Sequence, residues 1–156
     1  AEESLFAKII GKIDEFAGNG KEIPATVVLA FFALALIASD QNLQLSDEEE
    51  MSEYIKEIFI SIAVPRKERE RIVSLVYTVK DIAAVDISKI RVAQFTRKPY
   101  FNDLLLIAQI AGDYFFSPEV IEFLTHAFAF SKKDYSRRAA NRANRHIHRL
   151  RKTNTR

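Results

Sequence analysis

An all-α fold, a compact bundle of seven to eight helices with internal pseudo-duplication, is predicted by three observations. Apolar residues recur at three- and four-residue steps through most of the chain, strand-like alternation is absent, and one stretch of sequence occurs twice. In the repeat, Ala35-Leu36-Ile37-Ala38-Ser39-Asp40 is echoed by Ala108-Gln109-Ile110-Ala111-Gly112-Asp113. A short loop and Ser-x-Glu follow each copy, Ser46-Asp47-Glu48 in the first and Ser117-Pro118-Glu119 in the second. Further on, Ala63-Val64-Pro65-Arg66-Lys67-Glu68 aligns with Ala129-Phe130-Ser131-Lys132-Lys133-Asp134. Each copy reads as an apolar helix ending at an aspartate, a capped turn and a second helix.

Element by element, Leu5, Phe6, Ile9, Ile10, Ile13 and Phe16 make a first amphipathic helix, stopped by Gly18-Asn19-Gly20. Pro24 suits the start of the next, Ala25 to Ser39, which is apolar nearly all round and therefore reads as a buried central helix. Its uncharged run is shorter than the roughly 20 residues a membrane span needs, so no transmembrane segment is expected. Ser46 caps a helix through about Ile62, with Glu49 completing a capping box. Pro65 opens a helix burying Ile72, Val73, Leu75, Val76, Val79 and Ile82. Asp86 caps a short helix containing Ile90, Val92 and Phe95, and Arg97-Lys98-Pro99 is a connector. Two helices follow, about Tyr100–Gly112 and Pro118–Phe130, and the first packs against the central helix. Ser131 with Asp134 caps a last one that runs into the C-terminal tail.

Charge divides the chain. Residues 1–131 hold 13 Lys and Arg against 20 Asp and Glu, a net −7; residues 132–156 hold 10 against one, a net +9. The division predicts an acidic helical domain, 1–131, and a basic Arg-rich helix or tail, 132–156. The chain contains no Cys, which excludes disulfides, thiolate metal sites and a cysteine nucleophile, and is compatible with a reducing compartment. No basic segment followed by an apolar stretch and a small-residue cleavage site marks a leader. A cytoplasmic location, peripheral to a membrane at most, is the expectation.

Asp40 and Asp113 end equivalent helices, and Glu48 or Glu49 and Glu119 open their partners. Carboxylates converging on a loop can hold Ca²⁺ or Mg²⁺, which take several oxygen ligands. Set against that, glutamates in a first turn answer the helix dipole, and Ser46 and Ser117 are N-caps. The spacing is not that of an EF-hand.

These loops carry a resemblance. Ile37-Ala38-Ser39-Asp40 with Leu45-Ser46-Asp47-Glu48-Glu49, and Ile110-Ala111-Gly112-Asp113 with Phe116-Ser117-Pro118-Glu119, resemble the two signatures of the tellurite-resistance TerB-like family, which includes the N-terminal domain of DjlA-type membrane co-chaperones. The resemblance covers about Thr26 to Tyr135. It implies an all-helical, pseudo-duplicated fold, an adaptor in a stress-response or envelope-associated assembly, and a divalent cation at Asp40, Glu49, Asp113 and Glu119. The chain departs from the pattern at Gln41 and Tyr114, which replace the family's glycines, in a longer first loop, and at Glu119, which follows its serine by two positions. No His-Pro-Asp triplet is present, so a J domain would have to come from a separate partner.

Arg137, Arg138, Arg142, Arg145, Arg149, Arg151, Lys152 and Arg156 form the second candidate surface, with Tyr135, Ala139, Ala143, Ile147 and Leu150 at helical steps between them. Arginine forks match phosphates, so nucleic acid and anionic lipid are candidate partners. An acidic protein, the chain's own acidic body, or solvent alone would also satisfy the tail. His126 reads as a partly buried packing residue, and His146 and His148, two apart, do not share a helix face. No nucleophile elbow, phosphate-cradling glycine loop or His-Glu-x-x-His motif appears, so the expected function is non-enzymatic, with a protein partner.

Overall fold

The computed structural model describes residues 3–40, 43 and 47–155. It is all-α: among the described residues there are seven α-helices, one 3₁₀ turn and no strand. Helix α1 (Leu5–Gly18) starts at Ser4, whose hydroxyl accepts the Ala7 N–H at 3.2 Å. Beyond its end, Gly20 has φ +77°, a left-handed conformation in which a side chain would be strained.

Helix α2 (Ala25–Ser39) is the centre of the bundle. It buries Val27, Ala30, Phe31, Ala33, Leu34, Ala35 and Ile37 and packs against α1, α4 and α6. A helix apolar on all sides has no other stable place in water. Helix α3 (Glu48–Phe59) is capped by Asp47, whose carboxylate accepts the Glu50 N–H at 2.8 Å. Ser46, the expected cap, lies outside the described residues, as do Gln41 and Leu45 of the first signature. The helix ends at Phe59 rather than Ile62, because a turn over residues 60–63 must precede Pro65.

Helix α4 (Arg66–Ala84) buries Ile72, Val73, Leu75, Val76, Val79 and Ile82, all as expected, between α2, α3 and α6. Asp86 does not cap a helix through Phe95. It caps a 3₁₀ turn (Ile87–Lys89), accepting from the Ser88 N–H at 3.1 Å and hydroxyl at 2.7 Å. A separate single turn, α5 (Val92–Phe95), follows, and Phe95 packs edge-on to Phe101 with ring centroids 5.6 Å apart.

Helix α6 (Phe101–Phe115) passes the expected end at Gly112 by three residues and bends at Ala111, where φ −145° and ψ 33° leave the helical region. Phe115 meets Phe31 of α2 with centroids 6.1 Å apart. Ser117 then accepts the Val120 N–H at 3.3 Å, and Pro118 opens α7 (Pro118–Asn154). The helix expected to start at Ser131 does not exist as a separate element; α7 is one helix of 37 residues. In the first copy Pro65 makes the break. Its counterpart is Ser131, and no Gly or Pro occurs between Pro118 and Asn154, so nothing interrupts the hydrogen-bond ladder. The two copies are therefore unequal: α2 ends at Ser39 and α3 begins at Glu48, whereas only Phe116 and Ser117 separate α6 from α7.

Candidate functional site

The four candidate metal carboxylates are distributed over four helix ends. Asp40 is the C-cap residue of α2, with its own N–H donating to the Leu36 carbonyl at 3.2 Å. Its charge reaches Tyr54 of α3, whose phenol is pushed above its ordinary pKa by burial first and by Asp40 second. Glu49 stands in the first turn of α3, Asp113 in the last turn of α6 and Glu119 in the first turn of α7. Among the described residues no group of three or more His, Asp or Glu side chains is placed to hold a metal ion. Asp113 does not end its helix as Asp40 does, because α6 continues to Phe115. What these acids do visibly is local: Glu48, Glu49 and Glu119 sit where a helix dipole favours negative charge.

The basic segment has a definite structure. It continues the body half of α7, where Val120, Leu124 and Ala127 are buried and Phe123 meets Phe95 at 5.5 Å. Its last tie to the body is Asp134, only 7% exposed, which binds three guanidiniums. Arg137 donates to one carboxylate oxygen at 3.0 Å; Arg138 and Arg97 approach the other at 3.4 and 3.6 Å. Arg97 comes from the connector after α5, so this cluster fixes α7 to the body at the point where it leaves. From Tyr135 to Thr155 every residue is exposed. That length of helix, about 30 Å at 1.5 Å per residue, has the body on no side. Ile147 and Leu150 are exposed with it.

No protein-family profile, curated protein or solved structure matches this chain.

Within the projecting half, Arg138, Arg142, Arg145, Arg149 and Lys152 follow one another at steps of four and three and share one face of the helix. Arg142, Arg145, Arg149, Arg151 and Lys152 form no ion pair among the described residues. The Asp134 cluster was half legible, since Arg137 and Arg138 lie three and four residues on; Arg97 carried no local signal. A cleft of about 730 Å³ between α3 and α4 was not foreseen. Glu49, Glu53, Lys56, Arg66 and Arg69 line it, and Arg66 bonds Glu70 at 2.9 Å. The Arg69 Nε is buried there without a hydrogen-bond partner among the described residues. His126, expected to be partly buried, is exposed on α7. No helix of the described residues is long and apolar enough to cross a membrane.

Proposed function

We propose that this chain is a non-enzymatic interaction module of TerB-like type, an adaptor whose helical body is the scaffold and whose projecting helix recognises a polyanionic partner. One observation carries the reading: the row Arg138-Arg142-Arg145-Arg149-Lys152 on a helix exposed on all sides. Like charges three and four residues apart on a helix weaken it by about 0.2–0.5 kcal/mol per pair. The row contains four such pairs, and packing against the body does not offset them. A placement that costs helix stability and contributes nothing to the core makes sense if an external anion neutralises it.

The stress-response or envelope-associated setting rests on the TerB/DjlA resemblance, and a cytoplasmic location on the lack of Cys. A protein partner would meet the body, whose exposed Ile60 and Ile62 lie in the α3–α4 turn.

The test is elution from an immobilised heparin column by a salt gradient, comparing the full chain with Arg142→Ala/Arg145→Ala/Arg149→Ala. Alanine is the best helix former, so the variant keeps the helix and removes only charge. The full chain is expected to elute at clearly higher salt. Elution of both at the same low salt would overturn the reading.

A further inference from the structure

We propose that the projecting half of α7 lies in the major groove of double-stranded DNA. The inference rests on the reading of that helix as the recognition element for a polyanion and names the polyanion.

The arrangement of side chains around the helix is the first argument. The row from Arg138 to Lys152 runs along one side for about 21 Å. On the other side Arg137 and Arg151 recur at positions related by whole heptads through Asn144. Asn141 and His148 lie between the two lines, seven residues apart. A strip of hydrogen-bonding side chains thus runs beside the basic row, with Arg151 on its far edge. A B-form major groove about 12 Å wide admits an α-helix, with phosphates on both edges and base donors and acceptors on its floor. A row of cations along one edge, a polar strip beside it and Arg151 on the strip's far edge are its complement.

Other anionic surfaces fit less well. A membrane presents charge on one side and needs a broad apolar face opposite; here the sector holds only Ile147 and Leu150 as large aliphatics, beside Ala139, Ala140 and Ala143. A single strand is held by stacking on aromatic rings, and the helix has none beyond Tyr135. The major groove of duplex RNA is too deep and narrow for side chains to read.

Exposure is the second argument. A helix inserted in a groove is enclosed on most sides, which requires that the body cover none of it, as is the case from Tyr135 onward. The body carries net −7, so it must stand away from phosphates; a stiff arm of about 30 Å achieves that. Arg137 and Arg138 are tied to Asp134, which leaves Arg142, Arg145, Arg149, Arg151 and Lys152 for phosphate contacts.

The experiment is fluorescence anisotropy of the full chain with a labelled DNA duplex of about two helical turns. The RNA duplex of the same sequence, the single DNA strand and phosphatidylserine vesicles are run beside it. Five phosphate contacts predict a slope of log affinity on log salt of about −4.5, a loss of about 500-fold between about 50 and about 200 mM salt. Arg142→Ala/Arg145→Ala/Arg149→Ala should reduce the slope to about −1.8, with an unchanged melting temperature showing that the body is intact. The DNA duplex should bind more tightly than the other three probes, and guanine N7, a major-groove atom, should be protected from methylation. Equal or tighter binding to duplex RNA, single strand or vesicles, or unprotected N7 in the DNA complex, would overturn groove insertion while leaving the polyanion reading in place. Failure to bind any of the four probes, with no heparin retention, would overturn both.

Discussion

The two halves of α7 share one hydrogen-bonded backbone and follow opposite rules. Before Asp134 the helix is specified by tertiary contacts: Val120, Leu124 and Ala127 are buried, and α5 and α6 cover them. After Asp134 every described residue is exposed, and side chains of one charge line one face. The body half would be marginal as an isolated peptide and is stable because it packs; the projecting half is helical because it continues a helix already nucleated. Propagation adds a hydrogen bond for each residue fixed, without the cost of a new nucleus. The difference teaches that continuity of secondary structure says nothing about what a segment is for. The boundary that matters is electrostatic, at Asp134, and no backbone feature marks it.

The largest expected effect breaks this comparison directly. Leu124 is 1% exposed and Leu150 53%. Leu124→Ala should cost about 2–5 kcal/mol by loss of burial and creation of a cavity, whereas Leu150→Ala should stay within about 0.5 kcal/mol. Denaturant unfolding of the two variants checks both values. If Leu150→Ala proved as costly as Leu124→Ala, the projecting half would be packed in solution, and the contrast between the halves would be wrong.

A smaller effect sharpens where the boundary lies. Asp134→Asn removes the charge that three guanidiniums share. Hydrogen bonds to a charged group contribute about 1.5–3 kcal/mol, but the three arginines are 44–71% exposed, and solvent screening lowers the figure. A loss of about 1 kcal/mol is expected, shrinking in high salt. Amide hydrogen exchange should show faster opening near the cluster in the variant, with protection around Leu124 kept. Unchanged exchange at residues 131–138 would mean that the cluster does not anchor the helix.

How much of this was legible in the sequence differs between core and surface. The helices and their buried faces could be read because burial leaves a periodic trace: α2 is apolar all round, and α4 shows its six core residues at helical steps. Ends were read less well. Asp86 starts a 3₁₀ turn and not a helix through Phe95, and Ser131 caps nothing, since a capping residue is a signal only where the chain also has reason to stop. The repeat with Pro65 suggested such a reason at Ser131, but the second copy lacks the proline. The basic residues were all visible. That they stand on a helix without neighbours was not, because exposure of an amphipathic segment depends on whether anything is available to cover it. Arg97 and the α3–α4 cleft depend on distant parts of the chain meeting and leave no local pattern.

The smallest effect separates the halves by pH. Asp103 of α6 is partly buried, and its carboxyl is held above the ordinary aspartate range by burial, which Arg71 of α4 partly offsets. In the folded protein the protonated form is thus favoured relative to the unfolded chain, whose aspartates titrate at about pH 4. The native state binds more protons across the window between the two values, so this group's contribution to stability is fully present below about pH 4 and is lost as pH rises through the raised folded value. Asp103→Asn cannot ionise and loses nothing on that rise. The variant should therefore melt slightly higher than the parent chain at pH 7, and the difference should vanish near pH 3.5. The arginines of the projecting half of α7 add nothing to this dependence, because they stay charged throughout the range. A parent chain that outlasts Asp103→Asn at pH 7 would show instead that the Arg71 attraction outweighs desolvation. The attraction between Arg71 of α4 and Asp103 of α6 would then belong among the forces holding the body together.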